Sequence, residues 1–471
     1  MIINEKLELF KLAIKGKKVA VLGIGRSNIP AISFLKSLGA NISARDKDKN
    51  VLEKYPELHM LDIGIVLGEN YLSDLDKFDY ILRTPGIKPF LPEIESAVKN
   101  GVKLTSEIEL LIDLAPCKVI GITGSDGKTT TTTLVSKFLE KEGYKVWLGG
   151  NIGKSIFADI DKMDKKDIIV LELSSFQLMT LRKSPNVSII TNISPNHLDY
   201  HRSFKEYINA KANIFFKQRK NDVLVLNADD KYTEKYITIL KDNKINSKVK
   251  NFSIKTRVED GVYFENNEIV YNQNDKKINI CTKDEVKLVG MHNIANICAA
   301  ATAVIDMVSL DSIKDVISNF SGVEHRMEFV RNVNGVNYYN DSIASSPSRT
   351  IAGLTSFNKK VILIAGGYDK NIPYDVIGEY ILDKVKLLLL VGATSSKIKE
   401  AVMNEAIKRK IDINKILDIK EFTSLKDCVA YATLNSKPED NVIMSPASAS
   451  FDMYKDFEER GNYFKELVNS I

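Results

Sequence analysis

Three times along the chain an apolar, β-rich run ends in glycines and passes into a helical period. The segments are KVAVLGIGRSN (residues 18–28), KVIGITGSDGKTTT (118–131) and KVILIAGGYDKN (360–371). A run with no polar face needs cover on both sides, so short strands of this kind belong in parallel sheets flanked by helices. Ligands of such sheets sit beyond the carboxyl ends of the strands, which makes each glycine turn a candidate site.

The 471 residues amount to about three domains of ordinary size. Boundaries are expected near residues 116–117, before the second strand–glycine unit, and near Gly322, after a helical period at 293–308 and the segment 312–320. Residues 251–284 alternate apolar and polar positions around Asn and Asp turns, as an antiparallel hairpin appended to the central sheet would. The 66 basic and 61 acidic residues nearly cancel, leaving +5, which argues against a nucleic-acid binder acting by bulk charge. No apolar run approaches the roughly 18 residues of a membrane helix, and Glu5 and Glu8 interrupt what would be a signal-peptide core. The four cysteines show no CxxC spacing for a disulfide framework or a thiolate zinc site. A cytoplasmic protein is expected.

The strongest single signal is GITGSDGKTTTT. A strand at 118–122 feeds a glycine-rich turn, Gly124, Ser125, Asp126 and Gly127, and then a helix whose Leu134, Val135, Phe138 and Leu139 share one face, with Gly143 as its C-cap. Backbone N–H groups at such a helix start surround phosphate oxygens with partial positive charge. Lys128 would reach the outer phosphates, and the Thr129 hydroxyl is placed for Mg²⁺. The spacing is a variant, because five residues rather than four separate Gly121 from Gly127. A bland turn would not explain Gly-Lys-Thr after a second glycine at a helix start.

A magnesium nucleotide calls for a carboxylate at the end of a neighbouring strand, and DIIVLELSSFQ offers Glu172 at the exit of the apolar run 168–171. On its own Glu172 would as readily cap the next helix. The run 187–193 ends in SPNHLDYH, where His197, Asp199 and His201 alternate. Alone they suggest zinc or plain structural histidines; beside a phosphate loop they favour Mg²⁺, with His197 as a nitrogen ligand. In KEYINAKANIFF, Ile208, Lys211, Ala212 and Phe215 fall on one helical stripe. Either Lys211 snorkels to solvent, or it is a desolvated amine of lowered pKa that can react further.

Together these segments resemble the Mur ligases, ATP-dependent amino-acid ligases of peptidoglycan synthesis. The resemblance runs nearly the whole chain in one order. It takes in GIGRSN, TPGI (84–87), GITGSDGKTTT, GGNIG (149–153), LELSSFQL, NISPNHLDYH and the Lys211 helix, then GMHNIANICAA, HRMEFV, NDS (340–342), GGYDK and SPASASFDMYKDFEERG. It implies an α/β fold of three domains: Rossmann-like at 1–117 for the uridine nucleotide, a central P-loop-type ATPase at 118–322, and a C-terminal Rossmann-like domain at 323–471 that binds the amino acid and closes over the site. The near-fingerprint GIGRSN, with Asn28 in place of its third glycine, would then hold UDP rather than NAD. Arg26, Ser27, Asp46, Gly86, Asn151, Ser174 and Gln177 become candidates for the UDP substrate.

By the same resemblance ATP is held by residues 124–129 with Thr130, by Asn293 and Asn296 near adenine, and by Arg326 and Asp341 from the last domain. Lys128, Glu172, His197 and Lys211 form the catalytic group. Two Mg²⁺ ions are implied, on Thr129, Glu172, His197 and Lys211, the lysine being carbamylated in the family. The implied reaction joins D-glutamate to UDP-N-acetylmuramoyl-L-alanine through an acyl phosphate, in a monomer. Lys370, Ser450, Phe451 and Phe457 match the D-glutamate pocket. One departure stands out: the common NDSKAT reads NDSIAS here, so Ile343 replaces a lysine that would pair with a carboxylate, and Arg349 is the candidate replacement. Asp126, where the family more often has asparagine, is a smaller one. The rival expectations are a sibling ligase with another amino acid, a folate polyglutamylating enzyme, a NAD-dependent oxidoreductase using GIGRSN, and a nonenzymatic nucleotide-binding paralogue. The folate enzymes would not be expected to carry GIGRSN and TPGI, and a mere binder has no need of all four catalytic residues.

Overall fold

The computed structural model describes residues 4–25, 27–197, 200–288, 290–370 and 372–471. Arg26, expected at the UDP substrate, and Asp199, of the SPNHLDYH segment, lie outside the described residues. The chain forms two compact units: one runs to Val286 and includes Met291–Asn319, the other is Phe320–Ile471 with the short stretch Lys287–Gly290.

The first unit holds two sheets. The first consists of β1 (Lys18–Leu22), β2 (Asn41–Asp46), β3 (Gly64–Leu67), β4 (Tyr80–Arg83) and β5 (Lys103–Thr105) in the order β3-β2-β1-β4-β5, all parallel. The order reverses between β1 and β4, so the GIGRSN turn and the 84–87 turn leave from adjacent strand ends, where such a sheet takes its ligand. The second sheet contains β6 (Lys118–Thr123), β7 (Val146–Gly150), β8 (Ile168–Glu172), β9 (Val187–Ile190), β10 (Val223–Asn227), β11 (Lys248–Ser253), β12 (Asp260–Glu265), β13 (Glu268–Gln273) and β14 (Lys276–Thr282). Its order is β14-β13-β12-β11-β10-β9-β6-β8-β7. Seven strands are parallel, and β13 and β14 add an antiparallel meander to β12, one strand more than the hairpin expected at 251–284.

This order decides the site. β6 lies between β8 and β9, so the glycine loop after β6 is flanked by the exits of both. Every residue of β6 after Lys118, and every residue of β8, is buried, as parallel strands covered on both faces must be. The helix Lys128–Lys141 lies over them with Leu134, Val135, Phe138 and Leu139 fully buried, each contributing about 1.5–3 kcal/mol by its removal from water. It ends as its sequence predicts: Gly143 has φ +100°, and the Gly143 and Tyr144 N–H groups return to Glu140 and Leu139 carbonyls in a Schellman motif. The expected strand 187–193 stops at Ile190, and the expected helix 293–308 is Met291–Val304.

The second unit has one sheet: β15 (Glu328–Val333), β16 (Val336–Asn340), β17 (Val361–Ala365), β18 (Val385–Val391), β19 (Asp418–Phe422) and β20 (Asn441–Met444), in the order β15-β16-β20-β17-β18-β19 with β15 alone antiparallel. Because β20 inserts between β16 and β17, the NDS, SPASAS and GGYDK segments leave from three neighbouring strand ends.

Candidate active site

The loop after β6 is built so that only glycine fits at two of its corners. Gly124 has φ +150° and Gly127 φ +77°; a Cβ would stand 1.8 Å from Thr191 Oγ1 at the first and 2.2 Å from Asn296 Oδ1 at the second. The β9 exit braces the loop from outside. Thr191 Oγ1 donates to the Asp126 carbonyl at 2.6 Å, Asn192 Oδ1 accepts the Asp126 N–H at 2.9 Å, and Ser125 Oγ lies 2.8 Å from the Tyr207 hydroxyl. Gly127 supplies no side-chain cap to the helix Lys128–Lys141, leaving the first-turn amides, Thr129 and Thr130 among them, without that competitor for an anion.

Four of the expected residues converge here. Lys128 Nζ donates to the Gly124 and Ser125 carbonyls at 3.0 and 2.8 Å, folded back over the loop. Thr129 Oγ1 donates to Glu172 Oε2 at 2.7 Å, and Asn151 Nδ2 donates to Glu172 Oε1 at 2.7 Å, so one buried carboxylate joins the phosphate loop to the β7 exit. Lys211 does not snorkel. Only 1% exposed, it donates to Gly124 O at 2.8 Å and Thr123 Oγ1 at 3.2 Å beneath the loop. Burial, then repulsion from Lys128, pushes its pKa well below the usual lysine value, which favours the neutral amine.

The histidines divide. His197 is exposed with φ +54°, its ring edge-on to Phe176 at 4.9 Å. His201 is buried in the core, with Nε2 2.9 Å from Ser175 Oγ, and desolvation lowers its pKa. Among the described residues no three His, Cys, Asp or Glu side chains gather to hold a metal. Glu172 and Thr129 supply the hard oxygens that suit Mg²⁺, whereas an unmodified Lys211 amine lacks an oxygen to offer it.

Asn296, expected at adenine, packs on Gly127, its Oδ1 accepting from Thr131 at 3.4 Å and its Nδ2 donating to Asn293 at 3.1 Å. Beside it opens a cavity of about 340 Å³ whose lining includes Asn192, Asn227, Asp229, Asp230 and Ala295. The aspartates escaped the sequence reading because DD after a strand looks like any polar turn. At the first sheet Asp46 Oδ2 accepts the Ile24 N–H at 2.7 Å, fixing the turn that Ser27 follows. Asn28 is no defect: buried in the third-glycine position, its amide donates to the Leu22 and Gly23 carbonyls. Gly86 has open space around it. Ser174 and Gln177, expected at the UDP substrate, form a capping box that starts the helix Ser175–Leu178.

In the second unit Asp341 is buried, accepts from Ser445 Oγ at 2.7 Å and from the Met327 N–H, and is pushed up to about 6 by desolvation. Ser450 is buried, while Phe451 is exposed and edge-on to Tyr368 at 5.8 Å. Phe457 opens the helix Phe457–Asn469, and its carbonyl accepts from Ser342 Oγ at 2.7 Å. Burial, then the Arg349 and Arg460 charges, lowers the Lys370 pKa. Arg349 donates to the Ile343 carbonyl at 3.1 Å, and Arg326 lies in a short bridge with Val323. Arg460, missed in the sequence, ties Ser342 to the Ser448 and Ala449 carbonyls. A buried arginine leaves no periodic signature.

Comparison with known proteins follows the same three segments. The UDP-N-acetylmuramoylalanine–D-glutamate ligase of Ruminiclostridium cellulolyticum is 49% identical over 470 residues, covering 99% of this chain and 100% of that protein. Its counterparts in Acetivibrio thermocellus and Clostridium botulinum strain 657 are 49% and 50% identical, covering 99% and 98% of the chain and the same shares of those proteins. The chain belongs to the Mur ligase family. Residues 17–106 match the Mur ligase MurD-like N-terminal domain, 122–304 the Mur ligase middle domain, and 325–448 the Mur ligase glutamate ligase domain. Solved Mur ligases share the three-domain α/β fold. The UDP-N-acetylmuramate–alanine ligase of Thermotoga maritima has a TM-score of 0.56 at 17% identity, covering 96% of this chain and 99% of that one. A MurF ligase of the same organism, solved with ADP, has a TM-score of 0.53 at 18% identity, covering 98% and 97%.

Proposed function

We propose that the chain joins D-glutamate to UDP-N-acetylmuramoyl-L-alanine at the expense of ATP, through an acyl phosphate. The observation that carries this reading is the convergence of Lys128, Thr129, Glu172 and buried Lys211 on one glycine loop between two strand exits. Full-length relatives that bear the name of that reaction support the choice of substrates. Each domain holds one substrate: residues 1–117 the uridine nucleotide, 118–322 ATP, and 323–471 the amino acid.

In the first step an acceptor carboxylate oxygen attacks the γ-phosphorus and ADP leaves. In the second the D-glutamate amine attacks the acyl carbon, phosphate leaves with the bonding electrons, and the amide forms after the nitrogen loses its proton. Attacker and γ-phosphate are both anionic, so the first barrier is largely electrostatic. Lys128 and the first-turn amides of the helix Lys128–Lys141 supply positive charge, and Thr123 and Gly124 hold Lys211 under the loop. Thr129, Glu172, His197 and a carbamylated Lys211 would hold Mg²⁺, which screens phosphate charge when bound. Carbamylation converts the neutral amine into an oxygen ligand, and the desolvated state of Lys211 is the condition for it.

The enzyme acts as a monomer in the cytoplasm on soluble precursors, without nucleic acid or membrane. Among the described residues no helix is long and apolar enough to cross a membrane. The test is ADP release with UDP-N-acetylmuramoyl-L-alanine, MgATP and a panel of amino acids. Turnover with D-glutamate alone supports the proposal, and turnover only with another amino acid or acceptor refutes it.

A further inference from the structure

Arg83 ends β4 and is 1% exposed, yet its partners are carbonyl and hydroxyl oxygens rather than a carboxylate. Nη1 donates to the Thr84 and Pro85 carbonyls, each at 3.2 Å, and to the Ile87 carbonyl. Nη2 donates to the Phe176 carbonyl at 3.0 Å and to Thr180 Oγ1 at 3.4 Å. Tyr200 joins Arg83 at the same oxygens, donating its hydroxyl to the Pro85 and Ile87 carbonyls at 2.8 and 3.2 Å.

The physical logic lies in the turn. Residues 84–87 direct several carbonyls inward, and Pro85 has no N–H to exchange among them. A planar guanidinium with five fixed donors gathers such oxygens as no lysine can. The turn is also pinned to its neighbour at the strand reversal: Thr84 N–H donates to the Leu22 carbonyl at 2.9 Å, and Thr84 Cγ2 fills the space a Cβ on Gly23 would need. Beyond Arg83, the Phe176 ring lies 4.1 Å from that of Tyr200 and 4.9 Å from that of His197. One buried cation therefore spans the ligand crevice of the first sheet and the segment that follows Glu172.

We propose that Arg83, seconded by Tyr200, is the positioning residue of the acceptor site: it locks the 84–87 turn to residues 176–180 and so sets where the nucleotide-linked acceptor lies relative to Glu172 and Lys128. The inference rests on the acceptor reading above. Arg83 touches no reacting atom; it acts through the turn.

A plain fold brace would behave differently, since its loss would lower stability and weaken both substrates together. The test uses full-length Arg83→Lys and Tyr200→Phe. Calorimetric titrations with UDP-N-acetylmuramoyl-L-alanine and, separately, a nonhydrolysable ATP analogue give two dissociation constants, and steady-state assays give KM for each substrate. Arg83→Lys is expected to weaken the acceptor by roughly 10- to 100-fold, the scale of a misplaced binding group, with nucleotide affinity within about twofold. Tyr200→Phe should shift the acceptor alone, by less, with an unchanged thermal midpoint. Unchanged acceptor affinity, or a parallel fall for both ligands, overturns the proposal. If Arg83→Lys does not fold, Tyr200→Phe decides by the same criteria. Wild-type protein that fails to bind the acceptor at all overturns the functional reading and this inference with it, a pattern distinct from equal binding by wild type and variants.

Discussion

Replacing Glu107 by glutamine should stabilise the protein at neutral pH and erase a pH dependence that the wild type carries. Glu107 begins the helix Glu107–Leu114, where Ser106 is the N-cap, and Ser155 Oγ donates to Oε1 at 2.7 Å. The helix dipole favours the carboxylate by up to about 2 kcal/mol at a buried first-turn position, and the Ser155 and Phe157 hydrogen bonds favour it further. Burial outweighs them all and pushes Glu107 up to about 7. The folded state thus holds the proton more tightly than the unfolded chain, whose glutamate titrates near 4.5. Stability from this group is complete below about 4.5 and is lost as pH rises to about 7, at about 1.4 kcal/mol per unit, or about 3 kcal/mol in all. Glutamine keeps an oxygen for Ser155 and has nothing to ionise. Urea unfolding of both proteins at pH steps from 4.5 to 8.5 isolates the effect as a difference, which matters because Asp341 drifts in the same direction. A difference of the same size at pH 5 and pH 8 would refute the reasoning.

Glu172→Gln keeps the shape and an oxygen to accept from Asn151, while its NH2 group donates to the Thr129 hydroxyl in place of the bond Thr129 now donates. With the charge deleted, kcat should fall about 10²- to 10³-fold and the Mg²⁺ concentration for half activity should rise, with thermal stability largely preserved. Carbon-13 NMR in labelled bicarbonate should show a carbamate signal that Lys211→Ala lacks; its persistence in that variant would dissociate the modification from this lysine. Arg349→Ala should raise KM for D-glutamate about tenfold, through loss of a charged partner, and leave KM for ATP alone. Wild-type D-glutamate affinity in that variant would leave Ile343 uncompensated by Arg349.

The local chemistry of the site was largely legible. Strand, glycines, lysine and threonine at 118–131 are consecutive, and Glu172 and Lys211 sit where an apolar run and a helical stripe point to them. Sheet order was not, since the insertion of β8 between β6 and β7, or of β20 between β16 and β17, depends on contacts far apart in sequence. Nor does local pattern distinguish a buried cation from a surface one: Arg83 and Arg460 read as ordinary polar residues until the carbonyls around them are seen. Asn28 and Asn296 carry a related lesson. Asn28 looked like a lapse in a motif and instead braces a glycine turn, and Asn296, expected at adenine, also packs on one.

The meander at the far edge of the central sheet has a practical consequence. Asn266 and Asn267 form the two-residue tip between β12 and β13, both with positive φ, as a type I′ turn requires. The tip lies four to five strands from β6, roughly 20 Å at the usual spacing between strands. A single cysteine placed there would carry a fluorophore clear of the glycine loop, giving an optical reporter that leaves the chemistry untouched.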